Sequence, residues 1–523
     1  MLRSESRQGS IEGSPERRGF PRRTQVLPLA PRLLGHYHQQ GGTHKMTSSR
    51  SVRGGWSCLG IAAVAFGVLA LAGTCHAQAA AKVDSGDTAW MLTSAALVLM
   101  MTAPGLALFY GGLVRSKNVL NLLMQSFIMI ALISVQWVLW GYTLAFGPDH
   151  GHVIGGLDWI GLRGVGFEPN PDYAATIPHQ TFMIYQAMFA IITPALITGT
   201  FAERMKFSAF LVFSLLWATL VYDPLAHMVW GVNGFIRNLG ALDFAGGTVV
   251  HISSGTSALV CALVIGKRLG YGSDPMQPHN MPFVLIGASL LWFGWFGFNA
   301  GSALAANALA TSAFVATNTA TAAAALSWMF AEWFGKGKPT VLGAASGAVA
   351  GLVAITPASG FVGPMPALML GAIAGVLCYG ACNLKPKLGW YDDALDVVGV
   401  HGVGGTFGAI ATGLWASKEI NSAVTTQGLL ISGEWGLLGA QVAAVLLTYA
   451  LAIGGTLLCL GIASAVTGGL RVSDDDEFAG LDLSEHSENA YVFVASGYGT
   501  TISETFAARP AEHRAAYGVK VVE

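Results

Sequence analysis

His251 and His401 each lie well inside a long apolar run, and each follows an aspartate by eight positions, Asp243 and Asp393. Eight residues are a little over two helical turns, so each aspartate falls near one end of a helix, on roughly the face that carries its histidine deeper in. The repeated Asp-x7-His points to two related halves sharing one polar centre. Ionisable groups inside a membrane are costly, which makes the histidines candidates for a substrate or proton path. A neutral imidazole donates from one nitrogen and accepts at the other, so two buried rings can share a hydrogen bond and pass on a proton or a hydrogen-bonding species. Either histidine alone reads equally well as a satisfied interhelical hydrogen bond; the matched repeat favours the path. A metal or bis-histidine haem reading has only two ligands and no carboxylate or thiolate support.

Asp243 and Asp393 fall at expected helix starts, where a carboxylate accepts backbone N–H bonds and is favoured by the helix dipole. Capping is the preferred reading, and a carboxylate just below a pore mouth also favours a passing cation. Phe189, Trp230, Trp295 and Phe298 lie near the same apolar motifs. Their ring faces attract a partly dehydrated cation, although most membrane aromatics serve packing or interface belts.

The elements that must position these residues are membrane helices. Of 523 residues, 53% are hydrophobic and 11% charged, and the mean hydropathy is +0.54. A soluble chain carries about 25% charged residues. The composition defines an all-α polytopic membrane protein and carries no nucleic-acid signature; the net charge of -1 says nothing about partners. Apolar runs long enough to cross a bilayer occur at 88–111, 119–147, 181–202, 207–232, 244–266, 281–300, 303–334, 340–357, 363–384, 397–415 and 435–468. Eleven helices are therefore expected. Arg115 and Lys117, Arg204 and Lys206, Lys267 and Arg268, Lys336 and Lys338, and Lys385 and Lys387 fall in alternate loops, with Arg471 after the last run. The positive-inside rule then places the N-terminus outside and the C-terminus in the cytoplasm. Helices one to five and six to ten make two halves of five, and an odd number inverts the second half relative to the first. An additional C-terminal helix follows. Small-residue stretches such as 344–348 and 371–375 suit close helix packing.

Residues 1–45 are polar and lack apolar periodicity, reading as an upstream extension. From Met46 the order of basic, apolar and small residues reads as a signal peptide over 46–79, with Ala79 a plausible cleavage point. The membrane domain is expected over 80–470 and a polar, acidic cytoplasmic tail over 471–523. Cys261, Cys378, Cys382 and Cys459 fall in expected spans and read as small apolar core residues.

The stretch Asp243-Phe244-Ala245-Gly246-Gly247-Thr248-Val249-Val250-His251, running on to Gly266-Lys267-Arg268, resembles the signature of the ammonium transporter family, which includes the methylammonium permeases and the Rhesus proteins. Further matches are 109–115, 202–207, 226–231, 294–302 and 399–405, so the resemblance covers about 85 to 490. It implies that Phe189, Trp230 and Ser302 form an outer recruitment site for ammonium, with methylammonium as an analogue. It implies a stacked gate of Phe189 and Phe298, a twin-histidine pore of His251 and His401, and a supporting carboxylate at Asp243. It further implies a homotrimer in a bacterial inner membrane that serves nitrogen assimilation, is not an enzyme and needs no cofactor. The tail over 480–491 resembles the bacterial segment that couples the pore to a PII-type nitrogen regulatory protein. Departures are the extension after Tyr491, the first 45 residues and Asp223 in the fourth span.

The physical logic stands beside the resemblance. A bare cation entering an apolar pore loses far more hydration than aromatic contacts return, whereas ammonium can shed a proton and pass as a neutral molecule. The histidines would carry the separated proton or simply hydrogen-bond ammonia. An ammonium sensor signalling through its tail is the alternative to a transporter.

Overall fold

The computed structural model describes residues 82–491. The expected extension 1–45, the signal peptide 46–79 and the tail beyond Tyr491 lie outside the described residues. Nine helices there are long and apolar enough to cross a membrane: α1 Ser85–Leu113, α2 Ser116–Phe146, α3 His179–Phe201, α4 Phe207–Asn238, α5 Gly247–Ile265, α6 Met281–Ala303, α7 Ala308–Lys336, α9 Pro364–Leu388 and α11 Gly436–Thr467. At the other two expected positions stand α8, Val341–Ile355, and α10, in which Val398–Gly402 runs on into Val403–Trp415. The run at 340–357 is thus shorter as a helix than as an apolar stretch. Its first turn begins at Thr340, whose hydroxyl accepts from Gly343 N, and Thr356 and Pro357 lie beyond its last residue. A two-residue antiparallel pairing of Asp149–His150 with Ile154–Gly155 is the one named sheet among the described residues.

Small residues draw the helices together as their clustering suggests. A Cβ on Gly351 would lie 2.6 Å from Ala324 Cβ, and one on Gly347 would lie 2.6 Å from Trp328 Cβ, so α8 lies directly against α7. α3 and α5 are the most enclosed helices. The cysteines behave as core residues: Cys261, Cys378 and Cys459 are buried and unpaired, and Cys382 is half-buried. Asp223 is wholly buried in α4 and accepts from Gln136 Nε2 of α2 at 2.7 Å, tying these two helices.

The halves are inverted. Asp243 lines a cavity at one end of the molecule's central axis, while the segment after Asp393 lines a cavity at the other. α5 and α10 therefore run in opposite senses past each other. Their starts share one bond: Asp243 Oδ2 accepts from Thr248 N at 2.7 Å and Asp393 Oδ2 from Val398 N at 2.8 Å, each five residues on.

The described part of the segment after α11, up to Tyr491, packs on the membrane helices. α12, Asp474–Ala479, and α13, Leu481–His486, dock on the ends of the chain's own helices. Asp482 accepts from Asn121 N at 2.9 Å in the first turns of α2, and Glu485 from Phe207 N at 2.8 Å at the start of α4. Glu477 accepts from Leu269 N at 2.7 Å and pairs with Arg471 at 2.6 Å. The acidic composition thus serves unpaired N–H groups, those at two helix N-termini among them.

Candidate functional site

Asp243 shows how α5 begins. Its Oδ1 takes Gly246 N at 2.7 Å and Gly247 N at 2.6 Å; its Oδ2 takes Thr248 N, the Thr248 hydroxyl and Val249 N. Gly246 has φ +113°, which only glycine adopts freely and which folds the loop back over the carboxylate. Both oxygens are therefore committed to the helix start, in line with the capping reading. Asp393 makes the equivalent bond to Val398 N, and its carboxyl is enclosed.

Beyond each cap the helix opens into a wide π-helical turn. In α5 the N–H of Ser253 reaches Thr248 O, and in α10 the N–H of Val403 reaches Val398 O, each five residues back. These turns carry His251 and His401. Similar turns in α1, at Met101–Leu106 around Pro104, and in α6, at Phe296–Ala300, carry further residues of the central lumen. Single π turns recur at functional positions because they rotate side chains out of the regular stripe.

The two imidazoles meet. His401 Nδ1 lies 3.2 Å from His251 Nδ1, and the residues are 4% and 1% exposed. His251 Nε2 is buried without a hydrogen-bond partner. One ring must be the donor and the other the acceptor, so the pair holds one shared hydrogen bond. Glycines fix this approach reciprocally. A Cβ on Gly405, four residues after His401, would lie 2.8 Å from His251 Cβ; one on Gly255, four residues after His251, would lie 2.8 Å from His401 C and collide with the backbone of Gly402. Neither glycine stood out in the sequence, although the repeated His-x3-Gly spacing is legible there.

The rings line a small lumen of about 10 Å³ walled by Met101, Leu106, Ile192, Leu291, Trp295 and Phe298 among others, at the lower limit of the room one water needs. Trp295 and Phe298 stack on His251 with ring centroids 5.5 and 6.1 Å away. Phe298 also lies against Phe189, centroids 4.3 Å apart at 36°, and both rings are buried. On the far side of Phe189 a cavity of about 270 Å³ is lined by Trp230, Ser302, Asp243 and Gln186 among others. Trp230 stands edge-on to Phe189 at 5.9 Å and donates its indole N–H to Asp243 O at 2.9 Å. Ser302 Oγ donates to Phe298 O at 2.9 Å and lies 3.1 Å from Tyr185 OH. At the other end of the lumen, His401, Tyr110 and Val349 border a cavity of about 250 Å³ that reaches Arg268, Lys385 and Asp396.

The nine residues singled out in the sequence, Trp295 included, therefore lie along one axis or at its ends. Phe189, Trp230 and Ser302 share one vestibule, Phe189 and Phe298 meet at its floor, and the histidines lie beneath. Asp243 and Asp393 stand at opposite ends, as helix starts. No group of three or more His, Cys, Asp or Glu arranged to hold a metal occurs among the described residues. The axis offers aromatic faces and a hydroxyl, then an apolar constriction, then a paired hydrogen-bond donor and acceptor.

The fold and this axis define a multi-pass membrane protein of inverted-repeat design with a closed central lumen. A family model described as the Ammonium Transporter Family matches residues 89–491. An ammonium transporter of Bacillus subtilis is 54% identical over 410 residues, covering 78% of this chain and 99% of that relative. Ammonium transporter Amt1 of Archaeoglobus fulgidus is 47% identical over 411 residues, covering 78% and 100%. Among solved structures, Candida albicans Mep2 matches with a TM-score of 0.72 at 34% identity, over 80% of this chain and 95% of that one. A protein described as a Sensor Amt Protein matches with a TM-score of 0.70 at 28% identity, over 77% and 98%. The chain belongs to the ammonium transporter family.

Proposed function

We propose that the chain carries ammonium across the membrane through the lumen that joins the two vestibules. The observation that carries this reading is the hydrogen-bonded His251–His401 pair, enclosed by apolar walls and closed above by Phe189 and Phe298. Ammonium is recruited at Trp230, Phe189 and Ser302, where ring faces and a hydroxyl lone pair replace part of its water. The Ser302 proton is committed to Phe298 O, so its oxygen faces the vestibule as an acceptor, which suits an ion that only donates. Entry into the lumen as a cation is costly. The ion therefore leaves its proton at the vestibule floor and passes as ammonia. The shared hydrogen bond of the histidines gives the proton a separate route. Asp243 supports the site by holding the start of α5 and, through its carbonyl, the Trp230 ring.

The same reading puts the Trp230 vestibule outside and the Arg268 vestibule in the cytoplasm of a bacterial inner membrane. Residues 1–45 are then an upstream extension, 46–79 a signal peptide, 80–470 the membrane domain and 471–523 a regulatory tail. The pore works as one of three in a homotrimer, with a PII-type regulator meeting the cytoplasmic face. A sensor role is supported by one structural relative so described, at 28% identity, against a named transporter at 54%. Transport is the better reading. It is tested with purified protein in liposomes: an ammonium gradient evokes a current or an internal pH change, and an equal potassium gradient does not. Ammonium flux no greater than in empty liposomes overturns it.

A further inference from the structure

Behind the crossing of α5 and α10, on the side away from the lumen, an open groove of about 490 Å³ is walled by Leu259 of α5, Leu377 of α9, Phe407 of α10 and Ile453 of α11. Gly255 and Gly402 belong both to this wall and to the close crossing that carries the histidines. Its chemistry is apolar. The Thr406 hydroxyl donates to Gly402 O at 2.7 Å and accepts from Tyr449 OH at 2.5 Å, so both protons are spent inside the protein, and Thr256 is the remaining hydroxyl on the wall. The neighbouring face of α11 exposes Leu446, Leu457 and Leu458 as membrane-facing side chains.

The length and the apolar wall point to the occupant. The groove follows α10 from Val398 to Ile410, which at 1.5 Å per residue is about 18 Å. The length is close to one leaflet's share of a core about 30 Å thick. An extended hydrocarbon chain matches the groove in length and in its apolar lining, and the test below separates it from a helix of a second copy. An empty groove would cost its lining the dispersion contacts that a hydrocarbon restores.

We propose that this groove is a binding site for one acyl chain of a bilayer phospholipid, which backs the α5–α10 crossing from the membrane side. The full chain is reconstituted in bilayer nanodiscs with a phospholipid bearing a diazirine in mid-chain, irradiated, digested and mapped by mass spectrometry. Labelling of Leu259, Phe407 and Ile453 is expected to exceed by several-fold that of Phe127 and Met369, exposed side chains of α2 and α9. Leu259→Trp or, should that variant not assemble, Ile453→Trp fills the groove and is expected to abolish the excess while Phe127 labelling stays constant. Labelling at the groove no higher than at Phe127 and Met369 overturns the proposal. Cross-links between two chains through a cysteine placed at Leu259 also overturn it, by showing that a second copy occupies the groove.

Discussion

Two regions of this molecule bury ionisable groups to the same degree and treat them in opposite ways. In the lumen, His251 and His401 are 1% and 4% exposed, share one hydrogen bond, and leave His251 Nε2 without a partner. In the loops facing the Arg268 vestibule, Glu203, Arg204 and Asp392 are 3%, 0% and 0% exposed, yet every charge is answered. Glu203 takes Arg115 N and Nε at 2.7 Å each and faces Arg268 at 3.6 Å; Asp392 takes Arg268 N, Nε and Nη2 at 2.8 to 2.9 Å. Arg204 donates to Asp392 O at 2.6 Å and to Gly266 O at 2.9 Å. Burial alone thus says little about role. A saturated set of charge-assisted bonds suits a scaffold, whereas a histidine pair with a spare nitrogen beside an apolar lumen suits the proposed proton route.

The comparison predicts its own largest break in the scaffold. Arg268→Ala leaves Asp392 and Glu203 buried without their shared cation, a loss of about 3–5 kcal/mol. The variant should be recovered in low yield with a strongly lowered melting temperature. His251→Ala, which strands no charge, should melt near wild type. Similar melting of the two variants would erase the distinction.

Gly405→Ala and Gly255→Ala should come next, because each added methyl must push the α5–α10 crossing apart. Overpacking of this kind costs about 1–3 kcal/mol. Its signature should be loss of ammonium flux in protein that still folds, measured together by liposome assay and thermal melting. Full flux in both variants would show that the histidine separation tolerates displacement.

At Asp243 the ranking Asp above Asn above Ala is expected in thermal stability. Ala forfeits every cap bond at a cost of about 0.5–2 kcal/mol, while Asn keeps one oxygen but turns an amide donor toward the N–H groups. Equal stability of all three would remove the cap from the account.

The smallest effect is one of pH. Burial by itself would raise the Glu203 carboxyl, but Arg268 and Arg115 hold it below the ordinary range; burial would likewise raise Asp392, but the bonds and charge of Arg268 hold it down. Folded values below the unfolded ones mean that the unfolded chain binds more protons, so these groups stabilise fully above pH about 4 and lose that contribution as pH falls through their folded values. Melting temperature should therefore be flat with respect to this ring near neutrality and fall only in strong acid. A fall between pH 7 and 5 that disappears in Glu203→Gln would contradict the assignment.

Much of this was readable from residues. Apolar runs located the helices because a membrane demands length and continuity. The histidines stood out because an ionisable side chain in such a run needs a reason. What escaped was local geometry. The π turns leave no periodicity signal, since one extra residue in a helix of small side chains shifts the stripe without breaking it. The run at 340–357 exceeds α8 because Thr340, which caps the helix, and Thr356 and Pro357, which follow its end, do not interrupt an apolar stretch in the sequence. The docking of 474–486 was hidden because acidic residues that serve backbone N–H groups look identical, in sequence, to solvated ones.

The central claim of the proposed function is that the His251–His401 pair takes part in separating ammonium from alkali cations. It is tested most directly by recording ammonium and potassium currents from wild type, His251→Ala and His401→Ala in the same liposomes. Wild type should pass ammonium and exclude potassium, and each variant should either lose the ammonium current or admit potassium. Two folded variants with wild-type ammonium currents and intact potassium exclusion would contradict the account.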